Sequence, residues 1–311
     1  MPVLRLGTRK SPMAMIQAGH VAELIRQRTG AHVELVGLTS FGDVTRVNLP
    51  DLGGTGVFVS ALRESLLGGE VDLAVHSLKD LPTAAVPGIT LAAVPSRDDP
   101  RDALAGRDGA KLADLPPGAT IGTGSPRRAA QLLLLRPDVR PVPIRGNAGT
   151  RLAKVTAGQV DAVVLAYSGL ARIGELDRVS QVFEPDEMLP APGQGALAVE
   201  CRTDDTGLAG LLALIDDPGS RAAVTAERTV LAELQVGCSA PLGAYAAGTG
   251  VLHLTAVVVA EDGGLAVRAS QSGAPSRAED LGRDVAAELL QLGAGTIVAG
   301  IAVTSNGDDA Q

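Results

Sequence analysis

Arginines standing where strands hand over to helices are the first chemistry-bearing pattern in this 311-residue chain. Arg9 precedes a helix that opens at Ser11-Pro12, and Arg127 and Arg128 open the helix after Thr123-Gly124-Ser125. Arg145-Gly146-Asn147 follows a strand, Arg151 lies at the start of the next helix, and Arg172 ends a short one. In doubly wound α/β domains the strand C-termini and helix N-termini line the ligand crevice. Helix N-termini offer unpaired N–H groups and a positive dipole end, and Arg recognises carboxylate or phosphate in bidentate fashion. Any one of these arginines could be a solvated surface charge. Their repetition at one structural juncture points to a cleft that binds a polyanion.

Two further groups could carry chemistry. Ser77-Leu78-Lys79-Asp80-Leu81-Pro82 follows the apolar run Leu73–His76 directly. A Lys-Asp pair at a strand's C-terminal end suits proton transfer or the stabilisation of developing positive charge; spacing alone leaves an ordinary loop ion pair open. Cys238 lies in the tight loop Val236-Gly237-Cys238-Ser239-Ala240-Pro241, where the adjacent glycine lets a group approach or attach to sulfur, with a buried inert thiol as the alternative. Cys201, in the apolar strand Ala198-Val199-Glu200-Cys201, reads as a core residue.

Other chemistries lose ground. Gly122-Thr123-Gly124 lacks the third glycine of a dinucleotide fingerprint, because Arg127 occupies that place. No glycine-rich loop ends in Gly-Lys-Ser/Thr, and His20, His32, His76 and His253 are scattered, so no metal site is expected. The formal charge of −8 and only five aromatic rings (3 Phe, 2 Tyr, no Trp) argue against nucleic acid. No apolar run approaches the ~18 residues of a membrane span, and the N-terminus lacks the pattern of a secretory signal. Two cysteines make no disulfide framework. A cytoplasmic protein with reduced thiols is the expectation. Of 27 basic residues only four are lysine, leaving 23 arginines.

The elements that position these groups follow an α/β pattern. Strands are predicted at Leu4–Gly7, Val33–Leu38, Leu73–His76 and Ile89–Val94, with helices from Ser11-Pro12 to Gly30 and over Val57–Leu67. The polar, proline-bounded Pro95–Pro100 reads as a hinge or crossover. The pattern resumes with strands at Thr120–Gly122, Val139–Pro143 and Ala162–Leu165 and helices at Ser125–Leu135 and Thr150–Gly158. A strand at Ala196–Cys201 and a helix at Arg221–Leu234 follow. Strands near Leu242–Ala246, Val251–Ala260 and Leu265–Ser270 and a helix at Ala278–Leu292 form a final α+β unit. An internal echo accompanies this order. Gly7-Thr8-Arg9-Lys10-Ser11-Pro12 resembles Gly122-Thr123-Gly124-Ser125-Pro126, and Gly69-Glu70-Val71-Asp72 resembles Gly158-Gln159-Val160-Asp161. Two similar α/β domains facing each other across a cleft would explain both.

Seven motifs stand in one order: Gly-Thr-Arg-Lys-Ser-Pro (7–12), Val-His-Ser-Leu-Lys-Asp-Leu-Pro (75–82), Asp-Pro-Arg-Asp-Ala (99–103), Gly-Thr-Gly-Ser-Pro-Arg-Arg (122–128), Arg-Gly-Asn-Ala-Gly-Thr-Arg-Leu (145–152), Leu-Pro-Ala-Pro-Gly-Gln-Gly-Ala (189–196) and Gly-Cys-Ser-Ala-Pro-Leu-Gly (237–243). From about Leu4 to Ile301 the chain thereby resembles the porphobilinogen deaminase (hydroxymethylbilane synthase) family of tetrapyrrole biosynthesis. The resemblance implies two α/β domains like the lobes of a type II periplasmic binding protein, at 1–96 with 196–215 and at 100–190. It also implies a small C-terminal α+β domain at 218–305, with 306–311 left as a tail.

It further implies a dipyrromethane cofactor joined by a thioether to Cys238, and a monomer with no nucleic-acid or membrane partner. Four porphobilinogen molecules are added head to tail with loss of ammonia, and hydroxymethylbilane is released by hydrolysis. Asp80 is then the catalytic carboxylate, stabilising the azafulvenium cation formed as ammonia leaves, with Lys79 and Arg9 also catalytic. Cys238, Ser77, Lys79, Asp80, Thr123, Ser125, Arg127, Arg128 and Arg145 hold the cofactor. Arg9, Ser11, Arg145, Arg151, Arg172, Gln194 and Phe58 bind substrate, Phe58 by packing on the reacting ring. An Arg-rich cleft suits pyrroles that each carry an acetate and a propionate.

Thr55 stands where relatives carry Lys in Gly-Gly-Lys-Gly, Phe41 where an Arg is common, and Pro126 where an apolar residue precedes the Arg pair. A non-catalytic two-lobe protein binding a small acid would explain the echo and the arginines. It leaves Cys238, the Lys79-Asp80 pair and the third domain without a role.

Overall fold

The structure is a computed structural model that describes residues 3–38, 56–237 and 240–298, with backbone only at 56–58. Strand β1 (Leu4–Arg9), helix α1 (Pro12–Thr29), strand β2 (Val33–Leu38), helix α2 (Gly56–Leu67), and strands β3 (Leu73–Ser77) and β4 (Ile89–Ala93) open the chain. The residues at the ends of α1 explain its limits. The Ser11 hydroxyl caps it by accepting from Ala14 N–H at 3.3 Å, and Pro12 sits at its first position. Gly30 ends it with a φ of 71°, left-handed backbone that glycine adopts freely, its N–H donating to Arg26 O. Gln17, Ala18, Val21 and Ile25 form the buried stripe of α1.

The chain divides into two compact units. The first comprises the described residues up to Asp98 together with Gly195–Ala222. Its sheet runs β2-β1-β3-β10-β4, where β10 (Leu197–Arg202) is antiparallel to both neighbours and β1 is parallel to β2 and β3. One face buries Leu6, Leu73, Val75, Val199 and Cys201 with α1 and with α6 (Thr206–Leu212). On the other, Ala74 packs with Leu62 and Leu66 of α2 and with Val71. Cys201 is fully buried, as its apolar strand predicts, and burial pushes its thiol pKa up.

The second unit comprises Asp99–Gln194 and the described residues from Ala223 onward. It begins with β5 (Asp102–Gly106), β6 (Thr120–Gly122), α3 (Pro126–Leu135), β7 (Arg140–Val142), α4 (Ala148–Thr156), β8 (Ala162–Ala166), α5 (Tyr167–Arg172) and β9 (Gln181–Val182). These strands run β7-β6-β8-β5-β9, with β6 parallel to β7 and β8, and β5 antiparallel to β8. Helix α7 (Pro218–Glu233) leads into a separate antiparallel sheet, β11 (Leu242–Ala247), β12 (Leu252–Val259) and β13 (Ala266–Gly273), with α8 (Ala278–Gln291). The C-terminal domain thus has its own sheet. It clusters with the second unit because Val257 and Val259 pack on Ala130 and Leu189.

The internal echo is a repeat in three dimensions. Both sheets have the same strand order once β1, β2, β3, β10 and β4 are matched to β6, β7, β8, β5 and β9. In the first, Gly69 turns with a φ of 72° and the Asp72 carboxylate accepts from Arg5 N–H at 2.8 Å. In the second, Gly158 turns with a φ of 70° and Asp161 accepts from Thr120 N–H at 2.8 Å. Each contact joins the approach to one strand with the start of its parallel neighbour.

Several details differ from the sequence-based expectation, among them the start of α7 at Pro218 rather than Arg221 and the end of β13 at Gly273 rather than Ser270. β5, β9 and α6 were not foreseen, and α4 starts at Ala148 because Asn147, not Thr150, caps it. The Asn147 side chain accepts from the N–H and the hydroxyl of Thr150, both at 2.9 Å.

Candidate active site and anion-binding cluster

In the first unit, parallel pairing of β1 with β3 brings their C-terminal ends together. Arg9 closes β1, Ser11 caps α1, and Ser77 closes β3. Gln17 of α1 is buried and ties to Ser77, its Nε2 donating to the hydroxyl at 2.8 Å. Lys79 and Asp80 occupy a single 3-10 turn, Leu78–Asp80, between the buried Leu78 and Leu81. Leu78 N–H donates to Ala196 O at 3.0 Å and Leu81 N–H to Leu78 O at 3.1 Å. The two leucines anchor the turn while Lys79 and Asp80 stay half-buried.

Behind this turn lies a buried ion cluster that sequence reading missed. Glu200 of β10 receives Arg63 of α2 through Nη2 at 2.6 Å and Nε at 3.1 Å, and His76 Nε2 lies 3.1 Å from its Oε2. Burial alone would raise the Glu200 pKa; hydrogen bonds and charge from His76 and Arg63 outweigh it and hold the carboxyl at about 2.

In the second unit, the hydroxyl of Ser125 caps α3, with Arg128 N–H at 3.5 Å, and Thr123 Oγ1 accepts from Ser125 N–H at 3.2 Å. None of α1, α3 and α4 has an acidic residue in its own first turn, where the helix dipole is positive. Arg127 and Arg128 are buried around Asp102, which is fully buried at the head of β5. Arg127 Nη1 stands 2.7 Å from Asp102 Oδ2 and donates to Leu189 O at 2.6 Å. Arg128 donates to Asp102 Oδ1 from Nη2 at 2.7 Å and from Nε at 3.0 Å, and to Val164 O at 3.2 Å. Burial pushes the Asp102 carboxyl upward, but the two guanidiniums overcome it and leave the pKa well below the ordinary range.

Arg151 joins the same cluster. Its Nε donates to Gly146 O at 2.9 Å, and its Nη2 would lie 4.0 Å from a Cβ built on Gly124. Its pKa is lowered, by burial first and then by the like charge of Arg128. Arg145 is exposed on the loop before α4, and Arg172 is half-buried at the end of α5.

Three of the expected site residues, Gln194, Arg127 and Arg128, are deeply buried. Gln194, expected to bind substrate, is wholly buried, donating to Pro100 O at 2.7 Å and to Asp102 Oδ1 at 2.8 Å. Arg127 and Arg128 are buried with a shared counterion rather than standing open at the helix terminus. Asp102 itself received no role from sequence. The signal lay in the Asp-Pro-Arg-Asp-Ala motif and in two consecutive arginines that, if buried, demand a carboxylate. Cys238 and the side chain of Phe58 lie outside the described residues, as do Phe41 and Thr55.

One copy of a repeated α/β unit carries Asp80 just past a strand end, and the other brings Arg127, Arg128 and Arg151 to the starts of α3 and α4. Residues 4–209 match the family model described as the porphobilinogen deaminase, dipyromethane cofactor binding domain, and residues 221–291 match that of the porphobilinogen deaminase C-terminal domain. The chain is 62% identical to porphobilinogen deaminase of Thermobifida fusca over 95% of each chain. It is 52% identical to porphobilinogen deaminase 1 of Streptomyces coelicolor, over 94% of this chain and 96% of that one. Among solved structures, an ABC-transporter periplasmic substrate-binding protein from Coxiella burnetii aligns over 70% of this chain and 94% of its own, with a TM-score of 0.44 and 17% identity. The chain belongs to the porphobilinogen deaminase family of transferases.

Proposed function

We propose that the protein condenses four porphobilinogen molecules head to tail, releases one ammonia at each addition, and frees hydroxymethylbilane by hydrolysis, acting as a cytoplasmic monomer. The observation that carries this reading is the charge inventory of the second unit. Two guanidiniums, Arg127 and Arg128, share one buried carboxylate, Asp102, near the N-terminus of α3, and Arg151 at the start of α4 stands close enough to feel the charge of Arg128. Arg127 Nε is buried with no hydrogen-bond partner. A surplus of buried positive charge and an unfilled donor suit a ligand that brings carboxylates, as a dipyrromethane with its acetate and propionate groups does.

The residues that would hold this group are Cys238, Ser77, Lys79, Asp80, Thr123, Ser125, Arg127, Arg128 and Arg145, with Cys238 joined to it by a thioether. When bound, the dipyrromethane supplies the primer for condensation. Arg9, Ser11, Arg145, Arg151 and Arg172 bind the carboxylates of porphobilinogen, and Phe58 packs on its ring. Asp80, held on its turn by Leu78 and Leu81, stabilises the positive charge that develops on the substrate ring as ammonia departs, and takes a proton at its carboxylate. Lys79 and Arg9 assist at the same strand ends. Preorganised charge of this kind acts without reorganisation at the moment of reaction.

Mass spectrometry of the freshly purified protein tests the assignment. The peptide containing Cys238 should carry a two-pyrrole adduct, and the protein should colour with an aldehyde reagent for pyrroles. An unmodified Cys238, with no ammonia released from porphobilinogen, refutes the reading and favours a non-catalytic binder of small acids. A Cys238→Ala variant that keeps full activity also refutes it.

A further inference from the structure

Side chains at consecutive helix positions diverge by about 100°, so neighbours in sequence do not meet on a helix surface. Arg127 and Arg128 are consecutive in the first turn of α3, yet both guanidiniums converge on one point. That point is Asp102, whose side chain is completely buried on a different element, the first residue of β5. We propose that Asp102 is the positioning residue of the anion site: it draws the two arginines together and sets which of their N–H groups remain for a ligand's carboxylate. The proposal rests on the reading of this cluster as the place where pyrrole carboxylates bind.

The hydrogen bonds are unevenly shared. Arg128 is fixed in plane, with Nε and Nη2 on Asp102 Oδ1 and Nη1 on Val164 O. Arg127 uses fewer of its donors. Its Nη1 is 2.7 Å from Oδ2 but hydrogen-bonds to Leu189 O, and both Asp102 Oδ2 and Arg127 Nε are buried with no hydrogen bond. Buried polar atoms are rarely left this way. Arg127 is therefore aligned by charge and by one carbonyl, with Nε as a donor in reserve. Arg128 spends Nε, Nη1 and Nη2 on Asp102 and Val164, whereas Arg127 keeps Nε unfilled for an arriving carboxylate.

Gln194 completes the arrangement by setting the orientation of Asp102. It donates to Asp102 Oδ1 and to Pro100 O, and Arg128 Nη2 lies 3.4 Å from its Oε1. Residues 100 and 194 belong to the two segments at which the chain enters and leaves this part of the second unit. The counterion is thus held by a side chain that does not belong to the arginine-bearing helix and is itself anchored on Pro100 O.

The test compares Asp102→Asn, which keeps shape and removes charge, with Asp161→Asn, a carboxylate of the same unit outside the site. Each full-length variant is assayed for KM and kcat with porphobilinogen, for the adduct-bearing fraction of Cys238, and for the rise in Tm with citrate as a carboxylate probe. Asp102→Asn should raise KM about tenfold or more, lower the adduct fraction, and shrink the citrate shift. Asp161→Asn should lower Tm while leaving KM and the citrate shift unchanged. Should Asp102→Asn fail to fold, Gln194→Met supplies the second variant, with an expected rise in KM of about threefold and a smaller citrate shift. Parental KM, adduct fraction and citrate shift in a folded Asp102→Asn or Gln194→Met protein overturn the proposal. A parent protein that responds to citrate but releases no ammonia refutes the functional reading alone, and the citrate comparison still decides the role of Asp102.

Discussion

Replacing Glu200 with Gln should remove a defined part of the acid sensitivity of the first unit. The carboxylate is 2% exposed and faces Arg63 and His76. In the folded protein its pKa falls from an ordinary 4.5 to about 2. At about 1.4 kcal/mol per pH unit, this corresponds to roughly 3 kcal/mol of stability at neutral pH. Breaking one partner out of a buried ion pair costs about 3–5 kcal/mol by a separate route, and the two figures agree.

Because the folded value is depressed, the stabilisation is complete above the unfolded value near 4.5 and drains away as pH falls toward 2. At about pH 3.5 the parent should have lost about 1.4 kcal/mol of its advantage over Glu200→Gln. Urea denaturation of both proteins at about pH 7 and pH 3.5 measures the gap. Far-UV circular dichroism is the suitable signal, since the chain has no Trp. Hydrogen exchange in peptides spanning β3 and β10 assigns the change to the first unit. A gap that stays the same at both pH values refutes the reasoning, whatever its size.

A methyl group on Gly243 would lie 2.7 Å from both Cβ and O of Leu189. Gly243→Ala should therefore lower stability by about 1–3 kcal/mol in thermal denaturation. It should also raise KM for porphobilinogen, because Leu189 O is the carbonyl that holds Arg127. Asp80→Asn should keep the parental Tm and reduce kcat by about 10²–10³, the usual effect of losing one preorganised charge; steady-state ammonia release measures it, and a loss under tenfold refutes the assigned role.

Local chemistry made much of the fold legible. Ser11-Pro12 and Gly30 bracket α1 as the sequence predicts, and Ser125 marks the start of α3. The echo at Asp72 and Asp161 foretold a repeated sheet because both carboxylates do the same local work. What escaped was set by distant contacts. β5, Asp-Ala-Leu-Ala-Gly, has no β-branched or aromatic residue and becomes a strand only through pairing with β8 and β9. β9 is two residues long, too short for any periodicity.

The site was legible as a set of residues but not as a network. Arg127, Arg128 and Gln194 could be singled out. Nothing local says that Asp102, on a strand the sequence hides, gathers them. Glu200 and His76 were passed over for a similar reason, since their partner Arg63 is 137 residues away from Glu200 along the chain.

The strand order also carries a consequence for how the protein is made. In the first sheet β10 lies between β3 and β4, yet it is synthesised about 110 residues later, as β4 ends at residue 93 and β10 at residue 202. At about 5–20 residues per second, the ribosome leaves that slot open for roughly 5–20 s. Every strand of the second unit's larger sheet is in hand by residue 182, so it can close while the first still waits. During that interval β3 and β4 each present an unpaired edge, the kind of surface on which another nascent chain can pair. Of the two five-stranded sheets, the one that ends in Asp80's turn is begun first and completed last.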